Sequence, residues 1–168
     1  VYFNSQHYLR DKANVAAFMD ECKKAGILHI AAHHRIDPNP TRFELMLAPS
    51  DGMFGKVGIA ELTQIPNPNL QLVVLSACDS ISSSDPISTG PARAAELFSM
   101  AGARSVLGGL WKVSDDAAAK IMGDFYRTLA RGRSRTEALR SAQIKAIEDA
   151  RFANPFYWAC FAVYGNPW

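Results

Sequence analysis

Residues 72–83 read LVVLSACDSISS. Val73, Val74 and Leu75 are consecutive and apolar, which is the pattern of a strand covered on both faces. After Ser76 the run breaks into small and polar residues, with Cys78 at the break and Asp79, Ser80 and Ile81 beyond it. A strand of this kind over 70–76 needs helices on both sides of its sheet, and the flanking sequence supplies them. Downstream, 80–90 is rich in Ser, Pro and Gly and reads as a loop. A helix then opens with Pro91 in its first turn, carries Ala94, Leu97, Phe98 and Ala101 as a stripe, and stops at Gly102. Residues 104–110, RSVLGGL, are the next apolar strand. Upstream, Val15, Phe18, Met19 and Cys22 make one stripe of a helix over 12–25 that ends at Gly26. The run ILHIAA (27–32) follows as a strand.

The remaining segments fit around these. Residues 33–40 have loop composition, 43–47 (FELML) read as a short strand, and 49–52 (PSDG) as a turn. A short helix is expected over 59–65. Ser114 or Asp115 can cap a helix whose stripe is Ala118, Ile121, Met122, Phe125 and Leu129, closing at Gly132. Residues 134–137 (SRTE) match a capping box opening a helix to about Ala150. The aromatic run FYWACFAVY (156–164), bounded by Pro155 and Gly165, reads as a final strand containing Cys160. Strands joined by helices predict a mostly parallel sheet with helices on both faces. No internal repeat or domain boundary is visible.

Composition narrows the function classes. The 168 residues are 48% hydrophobic and 20% charged, ordinary for a globular domain with a sizeable core. A formal charge of +2 is too small to argue for nucleic acid. Arg127, Arg131, Arg133, Arg135 and Arg140 form a basic stretch, but no aromatic platform accompanies it, and a solvated or interdomain face is expected. No apolar run reaches membrane-spanning length, and no signal pattern opens the chain. Three widely spaced cysteines without CxxC spacing argue against a zinc ribbon or a disulfide framework. Free thiols suggest a reducing compartment, the cytoplasm.

Three strands end in polar or unusual residues: the first at His33-His34, the second at Cys78-Asp79-Ser80, the third at residues 111–116 (WKVSDD). In open α/β sheets ligands bind beyond the carboxyl ends of the strands. If neighbouring strands are parallel, these ends share one rim and bring a histidine to face a cysteine. A thiol is only a few per cent thiolate at neutral pH, and the thiolate is the nucleophile. A nearby imidazole takes the proton or pairs with the thiolate as imidazolium. From the pattern alone, a core thiol is the slightly favoured reading of Cys78, since free cysteine is among the most buried residue types. A metal site built from His29, His33, His34, Asp37 and Cys78 is disfavoured. His29 and His33 stand four residues apart along a strand, roughly 13 Å.

The motifs carrying these residues resemble a known family. LHIAAHH (28–34) is similar to the LHFATHG segment of CHAT domains, caspase-like peptidase domains often attached to tetratricopeptide repeats. VVLSACDS (73–80) is similar to their VVLSACETG. The likeness continues through PARAAELFSMAGARSVLGGLWKVSDDAAAKIMGDFYRTLARGRSRTEALRSAQ and ends at YWACFAVYG, covering roughly 12–165. The resemblance implies a caspase-like α-β-α sandwich, with a mainly parallel sheet of about six strands and its last strand antiparallel. It assigns His33 and Cys78 as the catalytic pair and the backbone N–H groups of Cys78 and His34 as the oxyanion site. His29 becomes a structural hydrogen-bonding residue, and no metal or other cofactor is required. WKVSDD is also similar to the WDVTD of separases, which implies that Asp115 selects a basic P1 side chain, with Trp111 and Asp79 beside the substrate. For Asp115 the alternative is a first-turn carboxylate serving its helix, and for Trp111 it is simple packing.

The implied activity is a cysteine endopeptidase acting on a protein or peptide. It would be controlled by an attached repeat or sensor domain, or by an activating partner, in bacterial defence or signalling. No membrane is implicated, and nucleic acid only indirectly. The chain opens at Val1 and reads as one domain over 1–168, the C-terminal part of a longer protein. Two departures stand out: the family glycine after the histidine is His34, and ETG is Asp79-Ser80-Ile81. Both border the oxyanion site, so an inactive caspase-like scaffold is the alternative.

Overall fold

A buried central strand organises the molecule as the sequence requires. The computed structural model describes residues 3, 5–32, 34–36, 43–50, 53–58, 61–62, 67–76 and 90–168. A 3-10 turn at Arg10–Lys12 leads into α1 (Val15–Cys22), followed by β1 (Ile27–Ile30), β2 (His34–Ile36), β3 (Phe43–Ser50), β4 (Met53–Gly58) and β5 (Leu72–Leu75). Then come α2 (Gly90–Met100), β6 (Ser105–Gly109), α3 (Asp115–Leu129), α4 (Arg135–Glu148), α5 (Pro155–Trp158) and β7 (Phe161–Gly165). Among the described residues the main sheet has four strands in the order β1-β5-β6-β7, with the first three parallel and β7 antiparallel to β6. Strands β2, β3 and β4 form a separate antiparallel sheet.

Strand alternation divides the core in two. Leu28, Ile30, Val73, Leu75 and Val106 face α1, α2 and the small sheet, where Cys22, Phe98, Leu45 and Val57 are buried with them. Leu72, Val74 and Leu107 face the other way, against Ile121, Met122 and Phe125 of α3 and Ala138, Leu139 and Ala142 of α4. The result is an α/β sandwich with helices on both faces of a mainly parallel sheet. Among the described residues no helix is long and apolar enough to cross a membrane.

The amino ends of β1 and β5 are set by a buried amide. Asn67 donates through Nδ2 to the carbonyls of Cys22 and Ala25, both at 2.9 Å, and its Oδ1 accepts from the Asn69 N–H at 2.9 Å. The Gly26 carbonyl then accepts from the N–H groups of Gln71 (2.8 Å) and Leu72 (3.3 Å). These bonds tie the end of α1 to the approach of β5, so both strands start level and Ile27 lies opposite Leu72.

A buried carboxylate joins the two helices of the opposite face. Asp124 of α3, with 3% of its side chain exposed, pairs with Lys120 (2.5 Å), Arg127 (2.9 Å) and, across the interface, Lys145 of α4 (3.2 Å). Burial alone would raise its pKa, but the hydrogen bonds and charge of Lys120 and Lys145 hold it below the usual carboxylate value. Both helices are capped as expected. Ser114 accepts from the Ala117 N–H at 3.3 Å, and Ser134 and Glu137 form the full capping box.

Several expectations are corrected. Among the described residues the main sheet has four strands, fewer than the six or so expected, and 34–36, 43–50 and 53–58 pair in a sheet of their own. The loop expected at 33–40 contains β2, which forms by pairing with β3 just downstream, a pairing that loop composition does not announce. β4 was not foreseen, since MFGKVG carries two glycines. Gly55 is required there, for a Cβ would fall 2.5 Å from the Val15 side chain and 3.1 Å from the Ala48 carbonyl. The 12–25 helix is regular only over Val15–Cys22. The single strand expected at 156–164 is split. Asn154 accepts from the Phe156 N–H at 2.9 Å with Pro155 in the first turn, so PFYW winds into α5 before β7 begins. Arg135 is not part of a solvated face: it is buried, with its Nη1 donating to the Asn166 carbonyl at 3.3 Å. Of the short helix expected at 59–65, only Glu61 and Leu62 are described, and both are helical. Of the turn expected at 49–52, Pro49 and Ser50 belong to β3, and of the loop expected at 80–90, Gly90 opens α2; residues 51–52 and 80–89 lie outside the described residues.

Replacing Asp124 with Asn should cost about 2 kcal/mol at neutral pH. Because the folded pKa lies below the unfolded value of about 3.9, this stabilisation is complete above that value and is lost as pH falls through the folded pKa. Urea midpoints of the two proteins should differ constantly from pH 6 to 8 (roughly neutral) and converge below about pH 4. A gap that persists in acid contradicts this assignment.

Candidate active-site rim

β1 and β5 run side by side in the same direction, with Ile27, Leu28, His29 and Ile30 opposite Leu72, Val73, Val74 and Leu75. Their carboxyl ends are therefore level. The ladder extends one step further, where the Ser76 N–H donates to the Ile30 carbonyl at 3.2 Å. β6 joins in the same sense, with Gly108 opposite Leu75, and delivers residues 110–116 to the same side.

One side-chain assembly is built at this rim. His29 is opposite Val74, so it shares a face with Val74 and Ser76, the face covered by α3. Its Nε2 lies 2.8 Å from Ser76 Oγ, and its Nδ1 lies 3.0 Å from the Tyr126 hydroxyl of α3. The Tyr126 ring stacks on the imidazole, centroids 5.6 Å apart and planes inclined by 28°. Phe3 meets Tyr126 edge-on, with ring centroids 6.0 Å apart. His29 is exposed, yet the protein packed around its imidazole pushes its pKa below the usual histidine value. Burial likewise pushes the Tyr126 phenol up. The neutral imidazole satisfies both partners, one ring nitrogen donating and the other accepting.

The expected site residues fall as follows. His33, Cys78 and Asp79 lie outside the described residues. Ala32 and Ser76 are the nearest described residues before His33 and Cys78. His34 opens β2 opposite Leu45. Asp115 is exposed in the first turn of α3, behind the Ser114 cap. Trp111 is half-buried, its indole N–H donating to the Phe156 carbonyl at 2.9 Å and its ring 6.5 Å from that of Phe156, so one edge is committed to packing against α5. His29 has the hydrogen-bonding role expected of it. Ser76 and Tyr126 were missed. Tyr126 sits on the shoulder of the α3 stripe next to Phe125, a place suited to an aromatic with a polar tip, but no spacing names His29 as its partner.

The other thiols are spoken for by packing. Cys22 and Cys160 are buried, and burial pushes the Cys22 thiol up to about 12. Asp116, neighbour of Asp115, lines an open concavity of about 500 Å³ with Lys120, Arg151 and Phe152. Its cations are already engaged, Lys120 by Asp124 and Arg151 by Asp149 at 2.8 Å. Among the described residues no group of three or more His, Cys, Asp or Glu side chains is arranged to hold a metal.

A family model, that of the CHAT domain, matches residues 3–166. Among curated proteins, none matches the chain.

Proposed function

This chain belongs to the CHAT domain family, a family associated with caspase-like cysteine peptidases, and from that premise we propose that it is a cysteine endopeptidase acting through a dyad of His33 and Cys78. The observation that carries the reading is the register of β1 and β5. Ile30 stands opposite Leu75, and His33 and Cys78 are each the third residue beyond that pair. Neighbouring strands lie about 4.8 Å apart, and three residues span at most about 11 Å. Two chains leaving level, parallel ends by the same number of residues favour a meeting of the two side chains.

The chemistry follows from the residue types. His33 takes the Cys78 proton, and the thiolate attacks the scissile carbonyl carbon. The developing oxyanion is held by the backbone N–H groups of Cys78 and His34. The C–N bond then breaks, His33 delivers the proton to the leaving amine, and a thioester remains on Cys78. Water, deprotonated by the same imidazole, hydrolyses it and regenerates the thiol. Asp115 is the group proposed to select a basic P1 residue. It is exposed and free of the pairing that occupies Asp124, and it follows β6 on the side where β1 and β5 also end. Trp111 and Asp79 complete the substrate side. The substrate is a protein, and control by an attached repeat or sensor domain, or by an activating partner, belongs to the same proposal.

Wild-type protein treated with a peptidyl electrophile carrying arginine at P1 should be labelled once, at Cys78. Cys78→Ala should abolish labelling, and His33→Ala should slow it by about 10²-fold or more. Wild type that fails to label while Cys78 remains open to small alkylating agents contradicts the peptidase reading and favours an inactive scaffold. Asp115→Asn should reduce the preference for arginine over norleucine at P1 by about tenfold or more, with little change in thiol alkylation. An unchanged preference restricts Asp115 to its helix.

A further inference from the structure

The assembly at the end of β5 has no part in the reaction as written, yet it stands two residues from the proposed nucleophile. Ser76 is tied to β1 twice: its N–H donates to the Ile30 carbonyl (3.2 Å), and its hydroxyl meets His29 Nε2 (2.8 Å). His29 is not free to turn away, because its other nitrogen meets the Tyr126 hydroxyl (3.0 Å) and its ring is stacked on that phenol. Tyr126 belongs to α3, which is held against the sheet by Phe125 and Ile121, both fully buried. A chain of hydrogen bonds thus runs from the rigid helix layer, through the imidazole, to the last residue before the chain departs toward Cys78.

We propose that His29 is a positioning residue, clamped by Tyr126 and clamping Ser76, which fixes the direction in which the chain leaves β5 and so holds the Cys78 thiol against His33. This inference rests on the peptidase reading and adds to it the means by which the two ends are kept in line. One backbone hydrogen bond leaves the end of a strand free to fray. A second tie from a side chain that is itself immobilised removes that freedom. Pre-organisation matters here because a misplacement of about 1 Å can cost about 10²-fold in rate.

The test is the pH dependence of Cys78 alkylation by iodoacetamide, read by mass spectrometry at that residue, in wild type, Ser76→Ala, Ser76→Thr and Tyr126→Phe. Cys22 and Cys160 are buried, so the accessible signal is that of Cys78. Wild type should titrate below the ordinary thiol value of about 8.5. Ser76→Ala and Tyr126→Phe, each the loss of one oxygen, should raise the midpoint by about one unit, and Ser76→Thr, which keeps the hydroxyl, should restore it. A role in stability alone would lower the melting temperature of the variants and leave the midpoint unmoved. A depressed wild-type midpoint that none of the variants shifts overturns the positioning role and leaves the dyad standing. A wild-type midpoint at the ordinary thiol value overturns the dyad, and the positioning role with it.

Discussion

Everything at the rim depends on β5 being enclosed. Leu72, Val73, Val74 and Leu75 are almost wholly buried, and the strand is hydrogen-bonded on both edges, to β1 and to β6. Fully burying a Val or Leu side chain is worth about 1.5–3 kcal/mol, and a slip of one residue would turn each side chain to the opposite layer. The two layers are not interchangeable: one is lined by Phe98 and the small sheet, the other by Phe125 and Ile121. The register of β5 is therefore strongly specified, and with it the level at which β1 and β5 end.

Position at the rim is inherited from this constraint by covalent connection. Asn67 and Gly26 align the strands at one end, where both begin. His29, Ser76 and Tyr126 align them at the other. Between these ties the strands are only four residues long, so little is left to vary. The Asp124 cluster serves the same end from outside the sheet. It fastens α3 to α4 and so steadies the helix that carries Tyr126.

Much of this was legible in the sequence. The consecutive apolar residues at 73–75 announced a strand covered on both faces, and the helix stripes supplied the covers. The capping box at Ser134 and Glu137 and the Ser114 cap were read from local chemistry and are present. What was missed depends on pairing and capping that the composition of a single segment does not show. β2 and β4 exist because β3 lies between them. The aromatic run after Asn154 is divided by a capped turn that outweighs the β-propensity of Phe156 and Tyr157. Arg135 read as one more surface cation because its partner, the Asn166 carbonyl, stands 31 residues away. At the site, His29 was recognised as a hydrogen-bonding residue, but its partners were not: they lie 47 and 97 residues away. The family motifs named His33 and Cys78, and the level ends of β1 and β5 are the ground on which the two are proposed as a pair.

The proposed pairing of His33 with Cys78 rests on the level ends of β1 and β5. The most direct measurement is the separation of the Cys78 sulfur and the His33 imidazole in an experimentally determined structure of the wild-type protein. Both side chains are expected on the same side of the rim, within about 7 Å at rest and closing to hydrogen-bond reach in a thioether adduct with a peptidyl electrophile. Side chains directed to opposite faces of the sheet would contradict it.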